Sequence, residues 1–246
     1  MSIPPKQIGW SQKANLLWEI SRQLDITLNA MRIQVISITS TTTTSSSTTT
    51  TTTTTSVPEA CMETPVTIGT QTWAKCNLNV STFRNGDVIP QVTDPAVWAS
   101  LTTPAWCYLN NDPANGPIYG KLYNGYAVND PRGLAPVGQH IPTNAEWTIL
   151  STFLGGESVA GGKLKEIGST YWDAPNTNAT NESGFSARGG AFRVDSTGAF
   201  FGAHYLGLFW TSTPSTYRLM SSFSPILETY SGVANTYGFS VRCLID

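Results

Sequence analysis

The sequence predicts an α+β domain over residues 57–246, preceded by an N-terminal helix and a Ser/Thr stalk. Three observations predict this organisation. Two helical patterns, near 95–101 and 143–154, lie among many short strand-like segments separated by Gly, Pro, Asn and Asp. An uninterrupted Ser/Thr tract at 39–56 then separates this region from residues 1–38.

The first segment, residues 1–38, contains a helical pattern that begins at Ser11 and runs to about Ile33. About two heptads are too few to hold a stable isolated helix, so its apolar stripe needs a partner. Packing on the same domain is one alternative, but the tract at 39–56 favours self-association or docking onto a larger assembly. The predicted oligomerisation residues are Leu17, Ile20, Leu24 and Met31.

Every residue of the tract 39–56 is Ser or Thr, a composition that cannot build a packed core alone. It is predicted to be a linker or stalk that spans up to roughly 60 Å when extended. Because Thr is β-branched, three copies side by side are an alternative that would form an ordered stem. O-glycosylation is a third alternative.

The predicted α+β domain contains short segments with strand patterns. Residues 66–73 are typical of a hairpin with Gly69 near its turn, and Gly161-Gly162 is predicted to be a turn. Residues 95–101 form one short helix carrying Trp98. The other strand-like segments are 105–109, 122–128, 191–193, 200–201, 208–211 and 239–244.

The clearest helix begins after Thr143, which forms a capping box with Glu146. Trp147 starts an apolar face that recurs at helical spacing, and Gly155 and Gly156 permit a left-handed C-terminal cap. The capping box occupies the Glu146 carboxylate, so this helix is predicted to be a scaffold element.

Charge and motifs exclude several functions. The net charge is −2, from 14 Lys and Arg against 16 Asp and Glu, so nucleic-acid binding has no electrostatic support. No apolar run approaches the length of a membrane span, and the N-terminus has no apolar signal region. His140 and His204 have no acid and nucleophile at a recognisable motif spacing, so we expect structural roles for both and no enzymatic activity.

The four cysteines do not form a CxxC pair, so a zinc site is not expected. They are candidates for disulfides: Cys61 with Cys76 across the first hairpin, and Cys107 with Cys243 between an early strand and the last one. Three connectivities are open to four cysteines, and four buried thiols are the alternative.

Two oxygen-rich clusters raise the question of calcium, because hard cations prefer carboxylate and amide oxygens. Neither cluster has EF-hand spacing, and such runs more often form turns capped by their own side chains. We therefore predict no metal or cofactor, with calcium as the alternative. The clusters are Asn110, Asn111 and Asp112, and Asn178, Asn181 and Glu182.

Residues 199–237 are the richest candidate for recognition, because aromatic side chains alternate there with small and polar ones. Aromatic faces stack on sugar rings, and arginine donates to hydroxyl or carboxylate groups. The predicted exposed ligand-binding residues are Tyr205, Tyr217, Arg218 and Tyr230.

Ordered blocks from about residue 66 onward carry a family resemblance. TQTWAKCNLNV, RNGDVIP, YGKLYNGYAVND, GLAPVGQHIPTNAEWT, GGKLKE, ATNESGFSA and GFSVRCLID resemble the Fibrobacter succinogenes major paralogous (FISUMP) domain family. The family usually has Trp where this chain has Gly125 and Gln139. The PTNAEW helix and closing GFSVRC strand are also similar to the formylglycine-generating-enzyme branch of C-type-lectin-like folds. That enzyme uses a cysteine pair near its C-terminus, and Cys243 stands alone here.

The opening MSIPPKQIGWSQKANLLWEISRQLD is similar to anchors of bacteriophage structural proteins that carry varied C-terminal modules. The resemblances imply a virion fibre, collar or decoration protein. Its expected partners are a second and third copy in a homotrimer, capsid, portal or tail proteins through residues 1–38, and a host-surface glycan or protein. The alternatives are a bacterial surface adhesion protein and a glycan-acting enzyme.

Overall fold

Our computed structural model describes residues 64–246, which lie within the second of the two units into which the chain divides, Thr55–Asp246. The predicted anchor helix at 1–38, the stalk at 39–56 and Cys61 lie outside the described residues. The oligomerisation stripe therefore stays a prediction.

The described part of the chain contains twelve short strands, five α-helices and two 3₁₀ helices, Leu109–Asn111 and Pro113–Asn115. The strands are β1 (Val66–Ile68), β2 (Gln71–Trp73), β3 (Trp106–Cys107), β4 (Leu122–Asn124), β5 (Gln139–His140), β6 (Gly190–Arg193), β7 (Phe200–Ala203), β8 (Leu206–Trp210), β9 (Thr216–Ser221), β10 (Glu228–Ser231), β11 (Gly238–Phe239) and β12 (Leu244–Ile245). The helices are α1 (Pro95–Ala99), α2 (Gly116–Tyr119), α3 (Gly125–Val128), α4 (Asn144–Phe153) and α5 (Glu157–Leu164). This is a mixed structure of mostly sheet with few helices, which is compatible with the predicted α+β class.

The strands form two sheets. The small sheet has the order β1-β2-β12-β5, and the long sheet has the order β10-β9-β8-β6-β11-β4-β3, with β7 paired to β6. In the small sheet Leu244 of the last strand pairs with both Trp73 and His140, so the chain's end closes against its early strands. The long sheet is the element that positions the candidate site.

Alternating side chains of β8 and β9 build a different core on each face of the long sheet. Leu208 and Trp210 belong to one buried cluster, together with residues from the loops before β5. Phe209 and Met220 point the other way, into a cluster with Trp147 of α4 and with the first hairpin. This period of two explains why β8 is apolar at every position: both of its faces are covered.

The predicted helix at 143–154 is confirmed. Thr143 caps α4, the Glu146 carboxylate accepts from the Thr143 backbone N–H, and Gly155 and Gly156 adopt positive φ just after the helix. Trp147 lies in the core at a ring centroid distance of 4.8 Å from Trp73. The scaffold role assigned to this helix therefore holds in the structure.

The predicted turn at Gly161-Gly162 is wrong, because both glycines lie inside α5. A Cβ on Gly161 would lie 2.4 Å from the carbonyl oxygen of Ile226, and one on Gly162 would lie 2.4 Å from that of Asn178. Glycine here allows two loops to approach the helix closely. These contacts join residues that are distant in the chain, so the local sequence does not reveal them.

The remaining segment predictions are mostly confirmed. Helix 95–101 is α1, with Asp94 as its N-cap, and the hairpin around Gly69 is β1 and β2. Segment 122–128 is β4 followed by the short helix α3. Strands β9 and β10 were not among the predicted segments. Among the described residues, no helix has the length and apolar character needed to cross a membrane.

His140 joins the chain's last residues to helix α4. Its Nδ1 lies 2.6 Å from Asp246 Oδ1, and its Nε2 lies 3.0 Å from Glu146 Oε1. Burial alone would lower the pKa of His140, but the hydrogen bonds to Asp246 and Glu146 outweigh it and raise this pKa above its usual value. The histidine therefore favours its charged form between two carboxylates.

Replacing His140 with glutamine is expected to lower the free energy of unfolding by about 0.5–1 kcal/mol near pH 5.5, since a side chain that is 40% exposed forms weak ion pairs. The raised folded-state pKa makes this contribution complete below about pH 6.5, and the contribution is lost as the pH rises through the folded pKa. The midpoint temperatures of thermal unfolding of the wild type and the glutamine variant should therefore converge at alkaline pH. A difference independent of pH would contradict the ion-pair role.

Candidate functional site

A row of aromatic side chains crosses one face of the long sheet. Tyr230 of β10 pairs with Tyr217 of β9, which pairs with Trp210 of β8, so the three side chains share a face. The rings of Tyr217 and Tyr230 are stacked, with centroids 5.3 Å apart and planes 15° apart. This pair lies at the end of the sheet formed by β9 and β10.

The same row continues inward to the core. Tyr217 contacts Phe239 of β11 at 4.7 Å between ring centroids, and Trp210 contacts Phe239 at 4.5 Å. Exposure falls along the row: Trp210 and Phe239 are each 1% exposed, whereas Tyr217 and Tyr230 are half-buried. The row is thus hydrophobic core at one end and accessible surface at the other.

Tyr237 extends this surface along β11. Its ring stacks on Phe239 at 5.5 Å and lies 6.1 Å from the ring of Phe192 of β6. Both Tyr237 and Phe192 are half-buried. Tyr217, Tyr230 and Tyr237 together are called the tyrosine surface, and the buried Phe239 in contact with both Tyr217 and Tyr237 supports it from beneath.

Two carboxylates lie beside hydroxyl groups of the tyrosine surface. The Tyr230 hydroxyl donates to Glu228 Oε2. The Asp195 carboxylate is close enough to Tyr237 to raise the pKa of its hydroxyl, after the larger effect of burial. Burial raises the pKa of Tyr217 to about 12. Burial, and then the hydrogen bond to Glu228, raise the pKa of Tyr230 above its usual value. The tyrosines are therefore neutral at physiological pH, and the negative charge here belongs to the two carboxylates.

This arrangement has the chemistry of an amphipathic contact surface. Flat rings held by a packed core can stack on an apolar ligand face at little entropic cost, since their orientation is already fixed. Oriented hydroxyl and carboxylate groups at the rim can exchange hydrogen bonds with ligand hydroxyls. Such a surface is suited to a ligand with one apolar face and many hydroxyls.

Arg218 does not belong to this surface, and the prediction that its side chain is exposed is wrong. It alternates with Tyr217 along β9, points to the opposite face and is 0% exposed. Its guanidinium donates to Glu157 Oε1 at 2.6 Å, to Asn144 Oδ1 at 2.9 Å and to Thr148 Oγ1 at 2.7 Å. Arg218 ties β9 to both long helices and acts as a structural residue.

Tyr205 also lies apart from the tyrosine surface. It precedes β8, next to the paired residues Leu206 and Ser221, and lies about 16 Å along the strand from the Trp210–Tyr217 pair. Its ring stacks on Phe223 with centroids 5.8 Å apart. Burial, and then the nearby Asp173 carboxylate, raise the pKa of Tyr205. Of the four predicted residues, the structure therefore brings together only Tyr217 and Tyr230.

His204, next to Tyr205, has an acidic neighbour that spacing did not indicate. Its Nδ1 lies 3.6 Å from Asp173 Oδ1, and its Nε2 lies 3.0 Å from the Tyr119 hydroxyl. His204 adopts a φ of 62° and its backbone N–H donates to Gly189, so the turn between β7 and β8 fixes its position. Both ring nitrogens thus have partners within the fold.

The cysteines divide into two groups. Cys76 is disulfide-bonded, and its predicted partner Cys61 lies outside the described residues. The candidate bridge between Cys107 and Cys243 is not formed: both are free, buried thiols that lie in different core clusters. Burial raises the pKa of each to about 12, which makes these thiols unreactive packing residues.

The oxygen-rich clusters make turn-capping contacts. Asp112 accepts from the backbone N–H of Ala114, Asn181 accepts from that of Ser186, and Glu182 pairs with Lys163 at 2.9 Å. Within residues 64–246 the structure contains no group of three or more His, Cys, Asp or Glu side chains placed to hold a metal ion.

Tyr237 and Glu228 lie within the predicted recognition region 199–237 but were not among the four predicted exposed residues, and Asp195 lies outside that region. Glu228 had a usable signal, since it precedes Tyr230 by two residues and a strand therefore places both on one face. Asp195 had none, because its contact with Tyr237 joins residues that are distant in the chain.

The described region is an α+β domain with a half-exposed aromatic surface on its long sheet. The model of the Fibrobacter succinogenes major domain family matches residues 66–244, so the chain belongs to that family and the predicted resemblance is confirmed. No curated protein and no solved structure matches the chain. At Gly125, where the family resemblance led us to expect Trp, an added Cβ would lie 2.6 Å from Asn235 Oδ1, so a ring has no room there.

Proposed function

We propose that residues 57–246 form a C-type-lectin-like recognition module that binds saccharides of a host surface through the tyrosine surface. One observation carries the proposal: the aromatic row of the core emerges at β9 and β10 as a stacked, half-exposed pair, Tyr217 and Tyr230. An edge made only for packing would not require a hydroxyl that is held by a carboxylate, as the Tyr230 hydroxyl is by Glu228.

Saccharides fit this chemistry better than a purely apolar ligand does. A pyranose ring presents axial C–H groups on one face, which pack on aromatic rings, and hydroxyls around its edge. The rim groups Glu228 and Asp195 can accept hydrogen bonds from such hydroxyls. The rigid sheet beneath Tyr217 keeps the surface ordered before binding, which lowers the entropic cost of association.

In the full chain we propose that this module is displayed on a bacteriophage virion, as part of a fibre, collar or decoration protein. The support is in the sequence: the phage-like opening segment, the apolar heptad stripe and the Ser/Thr tract at 39–56. Residues 1–38 would bind capsid, portal or tail proteins and form a homotrimer. The tract would hold the recognition module away from the particle.

Replacing Tyr230 with alanine in the full chain is expected to weaken saccharide binding at least about tenfold, as removal of a central aromatic contact typically does. Binding is measured first on an array of cell-surface oligosaccharides and then by calorimetry on those that bind. Phe223→Ala is the matched control, since Phe223 is a 50% exposed aromatic residue at the other end of β8 and β9. Equal losses in the two variants would contradict the assignment to the tyrosine surface.

Particles that carry the full chain are expected to adhere to host cells at least about tenfold better than particles whose chain ends before residue 57. Multiple displayed copies should make this difference large even when a single module binds weakly. Particle counts on washed cells provide the measurement. Equal adhesion with normal incorporation of the shortened chain would contradict a host-binding role.

A further inference from the structure

The charge of the tyrosine surface is one-sided. Glu228 accepts a hydrogen bond from the Tyr230 hydroxyl, and Asp195 interacts electrostatically with Tyr237, so both rim groups are carboxylates. The two carboxylates belong to different parts of the sheet: Glu228 lies on β10, and Asp195 follows β6. A ligand that covers the tyrosines must therefore approach negative charge from two sides.

The two arginines on strands next to these tyrosines do not balance that charge. Arg218 is fully buried on the opposite face, where it pairs with Glu157 at 2.6 Å. Arg193 is also fully buried, and its guanidinium donates to the backbone carbonyls of Val92, Thr93 and Gly198. Both cations are committed inside the fold and cannot meet an acidic group of a ligand.

We propose that the tyrosine surface selects saccharides without acidic groups, taking neutral hexoses and amino sugars and disfavouring uronic acids and other anionic sugars. This inference rests on the proposed saccharide-binding function and adds the ligand's charge class. A ligand carboxylate within about 6 Å of Glu228 or Asp195 would be repelled, whereas ligand hydroxyls or ammonium groups can donate to them.

The test compares the full chain's affinity for three trisaccharides: the trimer of galactose, the trimer of galacturonic acid and the trimer of glucosamine. The first two differ by a carboxylate at C6 of each sugar, so their affinity ratio isolates the charge. At about 20 mM salt the wild type is expected to bind the galactose trisaccharide about 3–10-fold more tightly than the galacturonic one. The ratio should shrink at about 500 mM salt, where exposed charges are screened.

The double variant Glu228→Gln, Asp195→Asn removes both rim charges and should bring that ratio close to one. The matched control is Glu182→Gln, Asp87→Asn, which removes two charges of exposed carboxylates elsewhere and should leave the ratio unchanged. Charge selection would be overturned if the galacturonic trisaccharide bound as tightly as the galactose one, or if the double variant left their affinity ratio unchanged. The proposed saccharide binding would still stand in that case if Tyr230→Ala weakened the binding. Absence of binding to these trisaccharides and to every member of the oligosaccharide array would overturn both proposals.

Discussion

Replacing Arg218 with alanine is expected to lower the free energy of unfolding by about 2–3 kcal/mol, because the change removes a fully buried side chain together with its hydrogen bonds to two helices. Arg218 is 0% exposed and donates to Asn144, Thr148 and Glu157, so it connects β9 with α4 and α5. Chemical denaturation followed by circular dichroism measures the loss. The midpoint should shift without a change in the denaturant dependence.

The matched control for this variant is Arg132→Ala. Arg132 forms ion pairs with Asp87 at 3.0 Å and with Asp130 at 2.9 Å, but its side chain is 38% exposed. Ion pairs at the surface contribute little to stability because solvent screens them, so this control should cost far less. Similar losses of unfolding free energy in the two variants would contradict the structural role of Arg218 as a buried link between β9 and the helices. Arg218 would then again be a candidate ligand-binding residue.

Replacing Gly161 with alanine is expected to lower the free energy of unfolding by about 2–3 kcal/mol. At a helix position without a close neighbour, the same change would stabilise the protein by roughly 1 kcal/mol. Helix propensity and the close contact therefore predict opposite signs for the change in stability. The reason is contact: the new methyl would lie 2.4 Å from the Ile226 carbonyl oxygen, and the loop or the helix would have to move. Thermal and chemical unfolding measure the sign directly.

Ser158→Ala serves as the control for Gly161→Ala, since Ser158 is an exposed residue of the same helix. It should leave stability unchanged or raise it by a few tenths of a kcal/mol. If Gly161→Ala stabilises the protein as much as helix propensity predicts, then α5 does not pack against the 226 loop as described.

Local signals explain which parts of the fold were predictable. Helix α4 was predicted because a capping box, an apolar face and two terminal glycines are all written within a few turns of sequence. Helix α5 was not, because Gly161 and Gly162 are required by carbonyl groups of distant loops. A glycine pair has the same appearance in sequence whether it makes a turn or permits a close approach.

The candidate site shows the same division. Alternation along β9 could place Tyr217 and Arg218 on opposite faces once the strand is known, but it does not say which face the helices cover. Burial of Arg218 depends on α4 and α5, and the contact of Asp195 with Tyr237 depends on sheet order. These are tertiary facts that composition and spacing do not encode.

The most direct test of the proposed function is a titration of the full chain with a bound oligosaccharide from the array, followed by NMR of carbon-labelled tyrosine rings. The nine tyrosines are distinguishable probes spread over the domain. We predict that the ring signals of Tyr217, Tyr230 and Tyr237 shift together and saturate with one dissociation constant, while those of Tyr171 and Tyr205 do not move. Shifts confined to Tyr205 and Tyr171, with the tyrosine surface unchanged, would contradict the proposal.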